Sequence, residues 1–183
     1  MKATGVVRRI DDLGRIVIPI EIRRTMRIRD GDPLEIFVDK DGEVILKKYS
    51  AIVDLGSFAE EMAESLYEAC EKVTMITDRD SVAAVTGARK KAYSDKRVSD
   101  MIMKAMEDRM TIIHDDPSQP PKPILDDEEE GRFSTLVIEP IVVHGDPYGT
   151  VIIAGTTADD SISESEVKLA QSAAGFLSRH LAE

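Results

Sequence analysis

The chain has 183 residues, a formal net charge of −11 and a single cysteine. One cysteine cannot form an intramolecular disulfide, and no apolar run approaches the roughly 18 residues of a membrane span, so the composition argues against a disulfide-stapled secreted domain and against membrane insertion. The sequence therefore predicts a cytoplasmic protein without a membrane partner.

The charges are distributed unevenly along the chain. Residues 1–29 carry eight basic and three acidic residues, whereas residues 51–183 carry 13 basic and 26 acidic residues. A basic end on an acidic body favours docking of that end onto a polyanion, while the rest of the protein is repelled from the same surface. Nucleic acid is the leading candidate, and a solvated arginine-rich face is the alternative. The charge step near residue 50 predicts two domains of unequal size.

The first fifty residues are predicted to contain four strands and one short helix, in the order ββαββ. The predicted elements are a strand over 4–10, a turn at 11–14, a strand over 15–18, a helix over 20–27 opened by Pro19, a turn at 30–33, and strands over 34–38 and 43–48 joined at Asp41-Gly42. Lys47 and Lys48 are expected on an exposed strand edge. A domain of this size buries too little surface to be stable alone, so it needs a partner subunit.

The remaining residues are predicted to form an antiparallel sheet with helices on one side. In chain order, the pattern predicts a helix over about 52–71, strands over 73–77 and 82–85, a helix over 95–109, a strand over 111–114, a proline-rich loop over 115–123, a hairpin of 135–143 and 148–155, and a final helix that opens with a capping box at Ser163 and Glu166.

Two of these helices carry an apolar stripe with heptad-like spacing. The stripes run from Ile52 to Ala69 and from Val167 to Leu181. Such a stripe usually covers the core of its own domain, but the spacing also fits a helix pair between two chains. Both interpretations stay open on the sequence.

The N-terminal motifs are Leu13-Gly14-Arg15-Ile16-Val17-Ile18-Pro19, Glu21-Ile22-Arg23-Arg24 and Gly31-Asp32-Pro33-Leu34-Glu35. They resemble the swapped-hairpin DNA-binding domain of the AbrB-like transition-state regulators, over nearly all of residues 1–50. The resemblance implies that two chains exchange hairpins to build one small β-barrel. It also implies DNA contacts from arginines in the first strand, the following turn and the short helix. The matching positions are Arg8, Arg15, Arg23 and Arg24.

A second pattern, Pro140-Ile141 followed by Gly145-Asp146-Pro147-Tyr148-Gly149-Thr150-Val151, resembles the central hairpin of GAF domains. Together with the N-terminal motifs and the start Lys2-Ala3-Thr4-Gly5, the whole chain resembles the stage V sporulation protein T family of endospore-forming bacteria. This resemblance implies an α+β protein. A swapped-hairpin β-barrel dimer domain would span residues 1–50, and a GAF-like regulatory or oligomerisation domain would span residues 51–183.

The function implied by the resemblance is a sequence-specific, nucleoid-associated DNA-binding regulator of sporulation genes. Its expected partners are double-stranded DNA and further copies of the chain, as a swapped dimer that pairs into a tetramer. The GAF-like domain would either bind an unknown small-molecule effector or serve only in oligomerisation.

Other classes of function have less support in the sequence. No cofactor or metal site is expected, and no enzymatic activity, because the three histidines have no motif that places them beside a nucleophile or a metal ligand. The alternative function is an antitoxin-like protein-interaction module, since similar swapped-hairpin folds also serve as antitoxins. Those proteins typically end in a short disordered tail, whereas this chain is predicted to end in a structured domain.

Overall fold

The computed structural model describes residues 5–116 and 118–182. Its backbone divides the chain into two compact units, Met1–Tyr49 and Ser50–Glu183. Residues 2–4, which belong to the N-terminal resemblance and the first predicted strand, lie outside the described residues, as does Pro117 of the predicted loop. No helix in the described part of the chain is long and apolar enough to cross a membrane.

The N-terminal unit consists of one short helix and one β-hairpin. Helix α1 spans Ile20–Thr25, and strands β1 (Leu34–Val38) and β2 (Val44–Lys48) pair antiparallel with Leu34 opposite Lys48. The helix begins after Pro19, whose carbonyl accepts a hydrogen bond from the backbone N–H of Arg23 (3.0 Å). It ends earlier than predicted, because Arg27 adopts a left-handed conformation with φ +52°.

The first two predicted strands are absent from the single chain. Residues 5–10 and 15–18 form no strand, although the backbone N–H of Asp11 donates to the carbonyl of Arg15 (3.0 Å) and closes the predicted turn. A two-stranded ribbon is marginally stable without a third strand or a packing surface. The described residues of this unit offer neither to these segments, so the prediction of strands over 4–10 and 15–18 is wrong for one isolated copy.

The C-terminal unit is built on a five-stranded antiparallel sheet in the order β4-β3-β7-β6-β5. Its elements are α2 Ala51–Asp54, α3 Ser57–Cys70, β3 Val73–Thr77, β4 Val82–Thr86, α4 Lys90–Tyr93, α5 Asp100–Asp108, β5 Ile112–His114, β6 Thr135–Val143, β7 Asp146–Gly155 and α6 Glu164–Leu181. Met75, Ile152 and Ile138 lie side by side across the three central strands.

Helices cover both faces of this sheet, so the prediction that they lie on one side is wrong. Ile152 and Ala154 belong to the same apolar cluster as Ile102 of α5, whereas Val151 and Ile153 pack with α3 and α6. All four of these β7 residues are buried. A strand that is apolar on both faces needs a layer on each side, because burial of only one face would leave the other apolar face in water.

The two apolar stripes lie on the same face of the sheet. Buried residues of α3 and α6 pack against it, among them Ala63, Leu66, Ala170 and Leu177. The first stripe is carried by two helices rather than one, because the chain turns at Gly56 with φ +57° between α2 and α3. The predicted capping box of the last helix is confirmed at Ser163 and Glu166.

The close approach of β7 to β3 makes a glycine necessary in the hairpin. A Cβ atom at Gly149 would lie 1.9 Å from the carbonyl oxygen of Thr77. We expect Gly149→Ala to reduce the free energy of unfolding by about 1–3 kcal/mol, because the strands must move apart. Gly175→Ala in α6 is the control: its Cβ would meet nothing closer than 3.7 Å, so it should stabilise the helix by about 0.5–1 kcal/mol. Urea unfolding of the full chain measures both, and equal stability of the two variants would contradict the close approach.

Candidate nucleic-acid interface

Arg15 follows the turn between the first two predicted strands and is fixed there by Asp11. The backbone N–H groups of Leu13 and Arg15 donate to Oδ1 of Asp11 (3.0 and 2.9 Å), and the side-chain Nε of Arg15 donates to Oδ2 (2.8 Å). The hydrogen bonds from the backbone and side chain of Arg15 lower the pKa of Asp11. The Arg15 side chain is still 69% exposed, so its terminal nitrogens face solvent.

Arg23 and Arg24 lie in the last turn of α1. The cationic side chains are favourable there because the partial negative charge of the helix dipole lies at that end. Arg23 is half-buried, and its Nη1 forms an ion pair with Asp30. Its Nε is buried and has no hydrogen-bond partner among the described residues. The backbone N–H of Ile28 donates to the carbonyl of Arg23 (2.8 Å), which ties the segment after the helix to its last turn.

Arg8 and Arg24 are exposed cations. Nη1 of Arg8 makes only a long hydrogen bond to the carbonyl of the preceding residue (3.4 Å), and the guanidinium of Arg24 has no partner in the described part of the chain. Arg9 is exposed and unpaired in the same sense, although it was not among the predicted contacts. Of the five arginines considered in this unit, Arg15 and Arg23 are already held by carboxylates.

A buried carboxylate holds the end of α1 against the hairpin. The side chain of Asp32 is only 3% exposed; it pairs with Nζ of Lys48 (3.2 Å) and accepts the backbone N–H of Arg29 (2.9 Å). Lys48 also donates to the carbonyl of Arg27 (2.9 Å). The prediction that Lys48 lies on an exposed edge is wrong, because the Lys48 side chain is only 21% exposed and its ammonium group is held by these two acceptors. Lys47 is exposed and lies 4.8 Å from the ring centroid of Phe37.

The C-terminal unit has a groove of about 530 Å³. Arg89, Tyr93, Leu125, Glu128 and Arg132 are among its lining residues. The hydroxyl of Tyr93 donates to Glu128 (2.9 Å) and accepts from Nε of Arg132 (3.2 Å). Burial is the main cause that raises the pKa of Tyr93. The groove thus combines two guanidinium groups with an aromatic hydroxyl and three carboxylates, because Asp127 and Glu129 line it beside Glu128.

The three histidines lie in separate places. His114 contacts the carbonyl of Gln119, His144 occupies the turn between β6 and β7, and the ring of His180 stacks on Phe58 at a centroid distance of 4.9 Å. Residues 5–116 and 118–182 contain no group of three His, Cys, Asp or Glu that could hold a metal ion.

Both units match known families. The family model described as stage V sporulation protein T C-terminal, transcription factor, matches residues 54–182. The model described as antidote-toxin recognition MazE, bacterial antitoxin, matches residues 7–54. Among solved structures, the GAF domain from an Acinetobacter phosphoenolpyruvate-protein phosphotransferase covers 74% of this chain and 84% of its own at a TM-score of 0.59 and 14% identity. That similarity concerns the fold alone.

Two curated relatives match by sequence. Stage V sporulation protein T of Bacillus subtilis (strain 168) is 50% identical over 181 residues, which cover 99% of each chain. The transition state regulatory protein AbrB of the same organism is 63% identical over 49 residues, 27% of this chain and 50% of AbrB. The predicted α+β fold class and the predicted role as a DNA-binding transcriptional regulator of sporulation are confirmed. The chain belongs to the stage V sporulation protein T family of transcription factors.

Proposed function

We propose that this transcription factor binds double-stranded DNA through Arg8, Arg15, Arg23 and Arg24 of its N-terminal domain, residues 1–50. The observation that carries the proposal is the exposed cationic surface of this unit in a chain that is otherwise strongly acidic. Guanidinium groups neutralise phosphates and form bidentate hydrogen bonds to guanine in the major groove. The acidic remainder, residues 51–183, is repelled by the same DNA and leaves only one end of the molecule to bind.

The binding unit in this proposal is a swapped homodimer. No apolar residue from 5 to 49 is buried in the single chain, and large apolar side chains are exposed there, including Val7 (84%), Leu13 (74%), Val17 (73%) and Val38 (75%). Exposed apolar surface of this extent is unfavourable in water, and a second copy that covers it supplies the missing core. The same copy would supply the strand partners that residues 5–10 and 15–18 lack.

The C-terminal domain, residues 51–183, has a regulatory or assembly role in this proposal. The helices on one sheet face leave Phe176 44% exposed and stacked on Phe58 (5.7 Å between centroids). An apolar surface of this kind supports pairing of two swapped dimers into a tetramer. A small-molecule effector would bind in the groove lined by Arg89, Arg132 and three carboxylates, where groups of both charges are available to a polar ligand.

The proposal assigns no catalytic activity to the chain, because the family to which the chain belongs is one of transcription factors. The alternative is an antitoxin-like interaction module, a class to which the model matching residues 7–54 belongs. The described C-terminal unit argues against it, since α6 packs on the sheet up to Leu177 instead of forming a free tail. Binding of DNA by the purified chain without any other protein distinguishes the two.

The salt dependence of DNA binding tests the arginine assignment. For each phosphate contact, log K falls by about 0.9 against log salt concentration. We expect Arg15→Ala and Arg23→Ala each to weaken DNA binding by about five- to thirtyfold and to flatten this slope. In a dimer each substitution removes two arginines, so the change in slope is doubled. Arg179→Ala, an exposed arginine of α6, removes the same charge from the other unit and is the control. Fluorescence anisotropy from low to high salt measures the slopes; slopes equal to that of the control would remove these residues from the interface.

A further inference from the structure

The carboxylate of Asp11 both caps the turn and holds the side chain of Arg15, a candidate DNA contact. One carboxylate oxygen, Oδ1, caps the turn by accepting the backbone N–H groups of Leu13 and Arg15. The other, Oδ2, accepts the Nε–H of the Arg15 side chain at 2.8 Å. We propose that Asp11 is a positioning residue for DNA recognition, which holds the Arg15 guanidinium in the orientation that reads the DNA. This proposal rests on the proposed contact between Arg15 and DNA.

The ion pair uses the part of the guanidinium that DNA does not need. A guanidinium carries five N–H donors in a planar fork, and the Nε–H is only one of them. With Nε held by Asp11, the four N–H groups on the terminal nitrogens of Arg15 remain for a bidentate contact. The O6 and N7 acceptors of guanine, or two oxygens of a phosphate, match that fork.

Holding the side chain in advance changes specificity as well as affinity. An arginine side chain that is free in solution loses rotamer freedom when it binds DNA, and one that is already held loses less. DNA whose acceptors match the held orientation is therefore bound more tightly. The negative charge of Asp11 meanwhile opposes loose attraction of Arg15 to phosphates in general. Asp11 should therefore raise the ratio of specific to non-specific affinity.

The pairing of Arg23 with Asp30 has a different geometry. There the carboxylate contacts Nη1, a terminal nitrogen that a bidentate contact would need, and the Asp30 side chain is 94% exposed. DNA must displace Asp30 to use the full fork of Arg23. Of these two pairs, the Arg15–Asp11 pair is the one that combines a capped turn, a held Nε and free terminal nitrogens.

Asp12 provides a matched control within the same turn. It is exposed, and its carboxylate has no hydrogen-bond partner among the described residues. Asp11→Asn and Asp12→Asn remove the same charge from adjacent positions, so their general electrostatic effects on a polyanion are alike. Asn at position 11 keeps an oxygen that can cap the turn but lacks the second acceptor for Nε.

The experiment compares two duplexes on each full-length protein. One is a duplex selected from a random-sequence pool by the unmodified protein, and the other is a scrambled duplex of the same composition. We expect Asp11→Asn to lower the ratio of the two affinities by about fivefold or more, and Asp12→Asn to leave the ratio unchanged while both affinities rise. The ratio does not depend on the active fraction of a preparation, so partial unfolding of one variant leaves the comparison valid. Equal ratios for the two variants would overturn the proposal.

Arg15→Ala and the double variant Asp11→Asn/Arg15→Ala separate the possible failures. If Asp11 acts through Arg15, the asparagine should change the ratio in the native background and have no further effect when Arg15 is alanine. A ratio that still falls in the alanine background would overturn the positioning role. Undiminished DNA affinity of Arg15→Ala alone would overturn the DNA contact of Arg15 itself, which is a failure of the proposed function.

Discussion

Val17→Asp is expected to abolish swapped dimerisation of the full chain and, with it, DNA binding. Val17 is 73% exposed in the single chain and lies in a segment that was predicted to be a strand but has no strand partner within one copy. In a swapped dimer this apolar side chain would enter the shared core. An aspartate there would bury a charge without a counter-ion, which costs several kcal/mol. A carboxylate on a surface that stays exposed would have almost no effect.

The dimer prediction is measured by sedimentation of the full chain together with DNA titration. In the native protein, the unfolding temperature of the N-terminal unit should rise with protein concentration, because association stabilises the folded state by mass action. Val17→Thr keeps the shape of the side chain and should retain dimerisation and most of the DNA affinity. If the C-terminal units also associate, Val17→Asp should halve the mass of a tetramer instead of yielding monomers. A Val17→Asp chain with native mass and native DNA affinity would rule out a shared core at this position.

The sequence predicts best those elements whose partners are in the same chain. The β6–β7 hairpin and strand β3 follow from runs of β-branched residues, and the start of α6 follows from Ser163 and Glu166. The failures have separate physical causes. Residues 5–18 have a strand-like pattern, but they form no strand within one copy of the chain. The continuous apolar run Val151–Ala154 indicates a strand that is buried on both faces of the sheet. The prediction of helices on one side of the sheet relied on the hairpin pattern alone.

The sequence predicts which residues form the candidate site, but it does not predict the contacts that those residues make within the chain. The excess of arginines before Asp30 indicated a polyanion, and the resemblance selected four of them. The carboxylate partners were not predictable from the sequence. The distance between Arg15 and Asp11 depends on the path of the turn. The distance between Lys48 and Asp32 depends on how closely two separate segments approach each other. Sequence spacing alone does not fix either path. The Arg15–Asp11 pair decides which guanidinium nitrogens of Arg15 stay exposed to solvent.

Glu166→Gln is expected to destabilise the C-terminal unit strongly, because Glu166 forms an ion pair that is well shielded from water. Its Oε1 lies 2.6 Å from Nζ of Lys72, just before β3, and both side chains are largely buried. Oε2 accepts the backbone N–H of Ser163 (3.0 Å), which completes the capping box of α6. Glutamine can keep that capping hydrogen bond, so the substitution removes mainly the charge. It leaves the ammonium of Lys72 largely shielded from water and without its hydrogen-bonded counter-ion.

The size of the effect follows from the pKa of Glu166. Desolvation raises it, but hydrogen bonds from Lys72 and Ser163 outweigh desolvation and lower it from 4.5 to about 2. A shift of this size corresponds to about 3 kcal/mol of stability. Because the pKa is lower in the folded state, this stability is fully present above pH 4.5 and is lost as the pH falls through about 2. The same pairing raises the pKa of Lys72 above 10.5, so the contribution also declines in strongly alkaline solution.

Urea unfolding of the full chain, followed by the helical circular dichroism signal, tests this account. At pH 7, Glu166→Gln should lower the free energy of unfolding by about 3 kcal/mol, and its difference from the native protein should shrink steadily between pH 4.5 and pH 2. Glu164→Gln is the matched control: it removes a charge two residues away, from an exposed pair with Lys168, and should cost at most about 0.5 kcal/mol. Lys72→Met combined with Glu166→Gln should recover part of the loss, because no unpaired ammonium remains. A Glu166→Gln difference that does not change with pH would show that packing around α6, and not the charge of Glu166, stabilises the unit.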